Sequence, residues 1–223
     1  MLSIPSLVRC LLPFAAALLA VVPVATNAQA PALEEGKNYI RLKSTQPVES
    51  GNKIEVLEFF SYGCPHCADL EPELAAWQKA MPSDVQFRRV PVGFGRESWD
   101  NLGKAYYTLE ALGEDARLTP ELFAALHRGG ANLSLPKTFF DWAAGKGLDR
   151  KKVEDMFNSF AIAGKMNKAN QIAKAYAVQS VPLVIVDGKF QTASDKVGSH
   201  AMMPAAINAL VVKARSERPK AKS

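Results

Sequence analysis

The sequence predicts an α/β protein: a central mixed sheet flanked by helices, with an all-helical subdomain set into it. Three observations carry this. Residues 54–60, IEVLEFF, read as a buried strand; a helical pattern follows, and VQFRRVPV after Pro82 reads as a second strand. Between about Trp99 and Tyr176 there are helical patterns and no convincing strand. Strand signals then return in VPLVIVDGKFQTA, and a last helix follows.

The first strand is short, apolar and rich in strand formers. After a brief SYG turn, Cys67, Leu70, Leu74 and Trp77 recur at helical spacing, and Pro65 falls in the first turn, where its missing N–H costs nothing. Pro72 lies inside this helix and is expected to kink it or disturb a bond to Ala68. Strand, helix, strand in this order points to parallel pairing. In the middle, Thr119 reads as a helix cap with Pro120 in the first turn, and the glycines at 129 and 130 end that helix. Ser134 to Ala144 is a second piece. Asp149 caps a third, with Val153, Met156, Phe157 and Phe160 on one face, and a fourth runs from about Lys165 to Tyr176. Helices this short need each other, so they should form a compact unit. Asp187-Gly188 joins two strand-like runs as a two-residue hairpin. Met203, Ile207, Leu210 and Val211 share a face of a helix running from Ser199 to about Ser216.

The ends and the charge narrow the function. Residues 1–30 read as a cleaved signal peptide: Arg9, an apolar stretch from Leu11 to Val24, then small residues, with cleavage after Ala28 or Ala30. Cys10 leaves with it. The formal charge of +5 is spread along the chain with both signs interspersed, and no basic run is interleaved with aromatics, so no nucleic-acid partner is expected. What remains is long enough to bury a core without staples.

That matters for Cys64 and Cys67. A bridge across so small a loop constrains the unfolded chain very little, so a structural disulfide explains the pair poorly. Haem attachment requires histidine directly after the second cysteine, where Ala68 stands. A zinc site needs two more ligands, and besides His66 only His127 and His200 are present, far away along the chain. A metal site is therefore the weaker reading, and each histidine reads as a surface or packing residue. Redox chemistry has a physical basis instead. A helix start directs free N–H groups and a positive dipole end at Cys64, favouring thiolate, and His66 can favour it further. Cys67, on the packed side, would be the resolving partner.

LEFFSYGCPHC, the E-x-x-L that continues the helix, Val181-Pro182 and the helical insertion together resemble the DsbA family of thiol:disulfide interchange proteins, within the thioredoxin superfamily. The resemblance implies a thioredoxin-like domain over 31–98 and 171–223, with residues 99–170 as the insertion. It implies an exposed nucleophilic Cys64, a buried Cys67, Pro65 and His66 as the tuning dipeptide with His66 the main tuner, and Glu58 as a buried acid that moves protons to and from Cys67. Glu71 matches a nearby helix carboxylate, with a plain surface residue as the alternative. Arg89 stands where the family often has lysine. An arginine is effectively never deprotonated, so a proton-transfer role is in doubt there and pairing with Glu58 is not. Val181-Pro182 matches a cis-proline loop against the disulfide, with Val181 offering backbone groups to an extended substrate. Spacing alone favours an ordinary trans proline opening a strand. The family is itself the type case of a strongly lowered cysteine pKa and a strongly oxidising disulfide, so that tendency comes from the resemblance.

The function implied is periplasmic disulfide donation to reduced, unfolded exported proteins, with recharging by a membrane-bound DsbB-like oxidase and no cofactor or metal. The alternatives are an isomerase or reductase of the same superfamily, or a non-catalytic metal- or peptide-binding module. Isomerases usually add a dimerisation domain, and only Pro31 to Asn52 precedes the first strand, so a monomer is expected.

Overall fold

The computed structural model describes Leu2 and residues 32–218; the rest of the expected signal peptide, with Cys10 and both cleavage points, lies outside the described residues. Five strands form one mixed sheet: β1 (Ile40–Arg41), β2 (Ile54–Phe60), β3 (Val85–Pro91), β4 (Leu183–Val186) and β5 (Phe190–Thr192), in the order β1-β5-β4-β2-β3. β2 and β3 pair in parallel, as strand–helix–strand order requires, and the other pairings are antiparallel. β2 is interior to the sheet and every one of its residues is buried, which explains its unbroken apolar run.

Helix α1 (Pro65–Ala80) connects β2 to β3. Pro72 cannot donate to the Ala68 carbonyl, yet the helix runs through it, because Cys67, Leu70, Leu74 and Trp77 are all buried along one face. Those last three pack with Val56, Val184 and Ile207 in one core. The opposite face of the sheet carries Leu57 and Phe59 into a second core, shared with helices α2 (Glu97–Ala111), α3 (Asp115–His127), α4 (Pro136–Gly145), α5 (Arg150–Phe157) and α6 (Phe160–Ala175). After β5 come a short α7 (Ser194–Val197), a 3-10 turn (His200–Met202) and α8 (Met203–Glu217). Met203, Ile207, Leu210 and Val211 are buried together on α8. No helix among the described residues is long and apolar enough to cross a membrane.

Four local expectations are corrected. Strand β1 carries no sequence signal, being two residues long, and exists because it pairs with β5. Helix α3 begins at Asp115, so Thr119 is not a cap; it is fully buried, and its hydroxyl bonds that of Tyr62 at 2.7 Å. Phe160 does not join the face of α5: Ser159 caps α6 through Ile162 N–H, and the break turns Phe160 out to 97% exposure. The final helix does not start at Ser199, because α7 and the 3-10 turn intervene. Asp149 does cap α5, accepting from Lys152 N–H at 2.9 Å.

The Asp187-Gly188 hairpin forms as its sequence indicates. Both residues have positive φ, 55° and 63°, and Lys189 N–H closes the turn on the Val186 carbonyl at 3.0 Å. Gly188 is required twice over, because a Cβ there would stand 2.2 Å from the Gln46 carbonyl oxygen. Replacing Gly188→Ala should therefore lower stability by at least about 2 kcal/mol, from left-handed strain plus backbone collision. Urea unfolding should show a lower midpoint at unchanged slope; an unchanged midpoint would mean the turn is not so constrained.

Candidate active site

The chain leaves β2 at Phe60, turns through Ser61–Gly63 and enters α1 with Cys64 as its N-cap and Pro65 at the first helical position. Cys64 N–H bonds the Ser61 carbonyl at 3.0 Å, and the Cys64 carbonyl accepts from the N–H groups of Cys67 and Ala68. Gly63 is glycine for space: a Cβ would lie 2.7 Å from the Trp99 indole nitrogen. This turn fixes both sulfurs. Cys67 falls on the buried face of α1, at 1% exposure. Cys64 is not the open thiol that the resemblance implies, for only 5% of its surface is accessible. The loop before β4 covers it, and Cys64 Sγ donates to the Val181 carbonyl at 3.3 Å. The Val181-Pro182 bond in that loop is cis, so the trans reading favoured by spacing is wrong; the strand opens at Leu183.

Both cysteines are thiols in the structure. Their acidities are driven apart. The Cys67 thiol donates to Cys64 Sγ, and this bond, the largest influence, stabilises the Cys64 thiolate. Burial opposes it. The N–H groups of Cys67 and His66 and the electrostatic pull of His66 add to it, as neighbouring dipoles and charge, since Sγ makes no N-cap hydrogen bond of its own. The bond to Val181 belongs to the thiol and opposes ionisation, yet the sum brings Cys64 from 9.0 down to about 6. Cys67 moves the other way. Burial pushes it up, and its donation to Cys64, the charge of Glu58 and that of Cys64 push it further. The partner thiol thus influences the acidity of Cys64 more than His66 does.

Beneath the pair lies a buried ion group. Glu58 and Arg89 stand opposite each other in the β2–β3 register, and Glu71 faces them from α1. Arg89 Nε donates to Glu58 at 2.8 Å and Nη2 donates to Glu71 at 2.6 Å. All three are almost wholly buried, so the surface alternative for Glu71 does not hold. One guanidinium can neutralise one carboxylate. Burial and mutual repulsion raise the proton affinity of the other, and Glu71 is pushed up to about 7, with burial the main cause and Arg89 opposing. Glu58 is raised by burial as well, against Arg89. Arg89 itself stays charged, because the two carboxylates outweigh its desolvation.

Two side chains read as bystanders from sequence have local roles. His127 Nε2 bonds the Tyr62 carbonyl at 2.7 Å, tying α3 to the turn before Cys64. His200 is not remote: its ring centre lies 6.3 Å from that of His66. Both rings line a cleft of about 430 Å³ with Val181, Pro182 and Ser194. No local pattern could have joined positions 66 and 200. Glu71 was legible, since it is four residues from Cys67 on the same helical face.

A strand-to-helix turn bearing a polarised dithiol, on a sheet with this topology, defines a thioredoxin-fold thiol:disulfide oxidoreductase. The family model for the DSBA-like thioredoxin domain matches residues 55–202. Thiol:disulfide interchange protein DsbA of Pseudomonas aeruginosa is 42% identical over 164 residues, covering 74% of this chain and 77% of that one. The DsbA of Bordetella parapertussis is 35% identical over 205 residues, covering 91% and 97%. A crystal structure of Pseudomonas aeruginosa DsbA superposes with a TM-score of 0.77 at 39% identity, covering 81% of this chain and 94% of that one. The chain belongs to the DsbA family.

Two titrations follow from the electrostatics. Thiolate absorbance of the reduced protein should rise with a midpoint near the value of about 6 given by the geometry, and Cys64→Ser should abolish that step. A midpoint near 9.0 would refute the polarisation. Glu71 favours its protonated form in the fold, so its contribution to stability is complete below 4.5 and lost as pH rises through about 7. Glu71→Gln, which mimics the protonated form, should gain stability relative to the native protein across that window, by up to about 3 kcal/mol. Chemical denaturation at both ends of the window reads this directly, and a pH-independent difference would contradict it.

Proposed function

We propose that this oxidoreductase acts in the periplasm as a dithiol oxidase, passing its Cys64–Cys67 disulfide to reduced, unfolded exported proteins. The opposed acidities of the two thiols carry this reading. A substrate thiolate attacks Cys64 Sγ of the oxidised pair. The Cys64–Cys67 bond breaks, its electron pair goes to Cys67, and a mixed disulfide forms. Cys67 must then take up a proton, since its buried thiolate is disfavoured. Glu58 and Glu71 hold an exchangeable proton below it, while Arg89 keeps the second carboxylate paired and cannot itself donate. A second substrate thiolate attacks the substrate sulfur of the mixed disulfide, and Cys64 leaves as a thiolate.

The raised acidity of the Cys64 thiol speeds that last step and makes the reduced enzyme the stable form, so the disulfide is a strong oxidant. Pro65 starts the helix that aims dipoles at Cys64, and His66 adds to its tuning. Val181 offers its backbone beside Cys64, with cis-Pro182 holding the loop there, as a place for an extended substrate strand. In this account the protein works as a monomer, and a DsbB-like membrane oxidase accepts the two electrons and restores the disulfide.

Oxidation of a reduced, unfolded model substrate tests the reading. Cys64→Ala should abolish turnover. Cys67→Ala, which has no disulfide to give, should lose turnover as well. Retained turnover in Cys64→Ala would end the proposal.

A further inference from the structure

We propose that His66, Asp69 and His200 form a binding site for one borderline divalent cation of the zinc type, at the mouth of the cleft beside the dithiol. His66 and Asp69 lie three residues apart on the first turns of α1, so they share a face. His200 opens the 3-10 turn ahead of α8 and approaches the same face. One ligand atom from each of the three lies within 4.8 Å of the others. Tetrahedral zinc with bonds near 2.0–2.1 Å asks for ligand atoms about 3.3 Å apart. The remaining closure is small, and no hydrogen bond or ion pair among the described residues holds the side chain of His66 or Asp69.

His200 is the prepared member. Its Nδ1 is 2.7 Å from the hydroxyl of Ser194, which is itself 9% exposed. With Nδ1–H donating to Ser194 Oγ, the ring is held in the tautomer that leaves Nε2 as a lone-pair donor. A buried partner of this kind orients most metal-binding histidines. Two imidazoles and one carboxylate, with positions left open to water, suit zinc or copper(II) and not magnesium. The chain has three histidines, and the third, His127, is committed to the Tyr62 carbonyl, so this is where two can converge. The site shares His66 with the oxidase reading but uses neither sulfur, so zinc binding to the oxidised protein can be tested whether or not that reading holds.

The test is calorimetric titration of zinc chloride into tag-free, metal-free, fully oxidised protein, in which the disulfide removes both thiols as ligands. One equivalent should bind, and magnesium chloride should give no saturable heat. His200→Ala and Asp69→Asn should each weaken zinc at least tenfold. Ring proton shifts of His66 and His200 should saturate together at the same equivalence. Absence of one-equivalent binding, equal binding of magnesium, or unchanged affinity in both Asp69→Asn and His200→Ala would overturn the site. Asp69 is exposed, so its substitution leaves the fold intact and the comparison interpretable.

Discussion

The placement of the Cys67 thiol against Cys64 is the constraint on which the site depends. It exists only if α1 is held at one angle and depth on the sheet, because Cys67 must be buried while Cys64 stays at the helix start. That hold is physical and distributed. Leu70, Leu74 and Trp77 are buried in the same core as α8, and Trp77 Nε1 donates to Asn208 Oδ1 at 2.8 Å. From the other side, Trp99 closes on Gly63 and His127 grips the Tyr62 carbonyl. The helical unit is thus more than a covering layer. It fixes the turn from which Cys64 is presented.

The buried Glu58–Arg89–Glu71 group looks extravagant by ordinary standards of stability. Burying three charges costs several kcal/mol for each ion, and a pair seldom repays it in full. Here one cation serves two carboxylates, so neither state of the excess proton is strongly preferred near neutrality. A group poised in that way is what a buried thiol needs when it must gain and lose a proton in each cycle. Arginine at position 89 keeps its charge, which leaves the carboxylates as the groups of the three that can carry the excess proton.

Much of this was legible in the sequence, for identifiable reasons. Ile54–Phe60 was read to the residue, because a central strand buried on both faces leaves an unbroken apolar run. Asp187-Gly188 was read because so few residues accept its dihedral angles. Tertiary burial overrode local signals elsewhere. Thr119-Pro120 looks like a helix start, but Leu118 and Thr119 are fully buried and the helix extends back past them. Phe160 fits the period of α5, yet the Ser159 cap assigns it to the next helix. The cysteine pair stood out by type and spacing, and Glu58 through the resemblance. The cis bond before Pro182, the cover over Cys64 and the meeting of His66 with His200 depend on segments distant in the chain, and no local pattern encodes them.

The central claim is that the fold stabilises the Cys64 thiolate and so destabilises the disulfide. The redox equilibrium of the Cys64–Cys67 pair against glutathione tests it most directly. The account predicts a potential less negative than about −180 mV, the range of strong protein oxidants. A value near that of thioredoxin, about −270 mV, would contradict it.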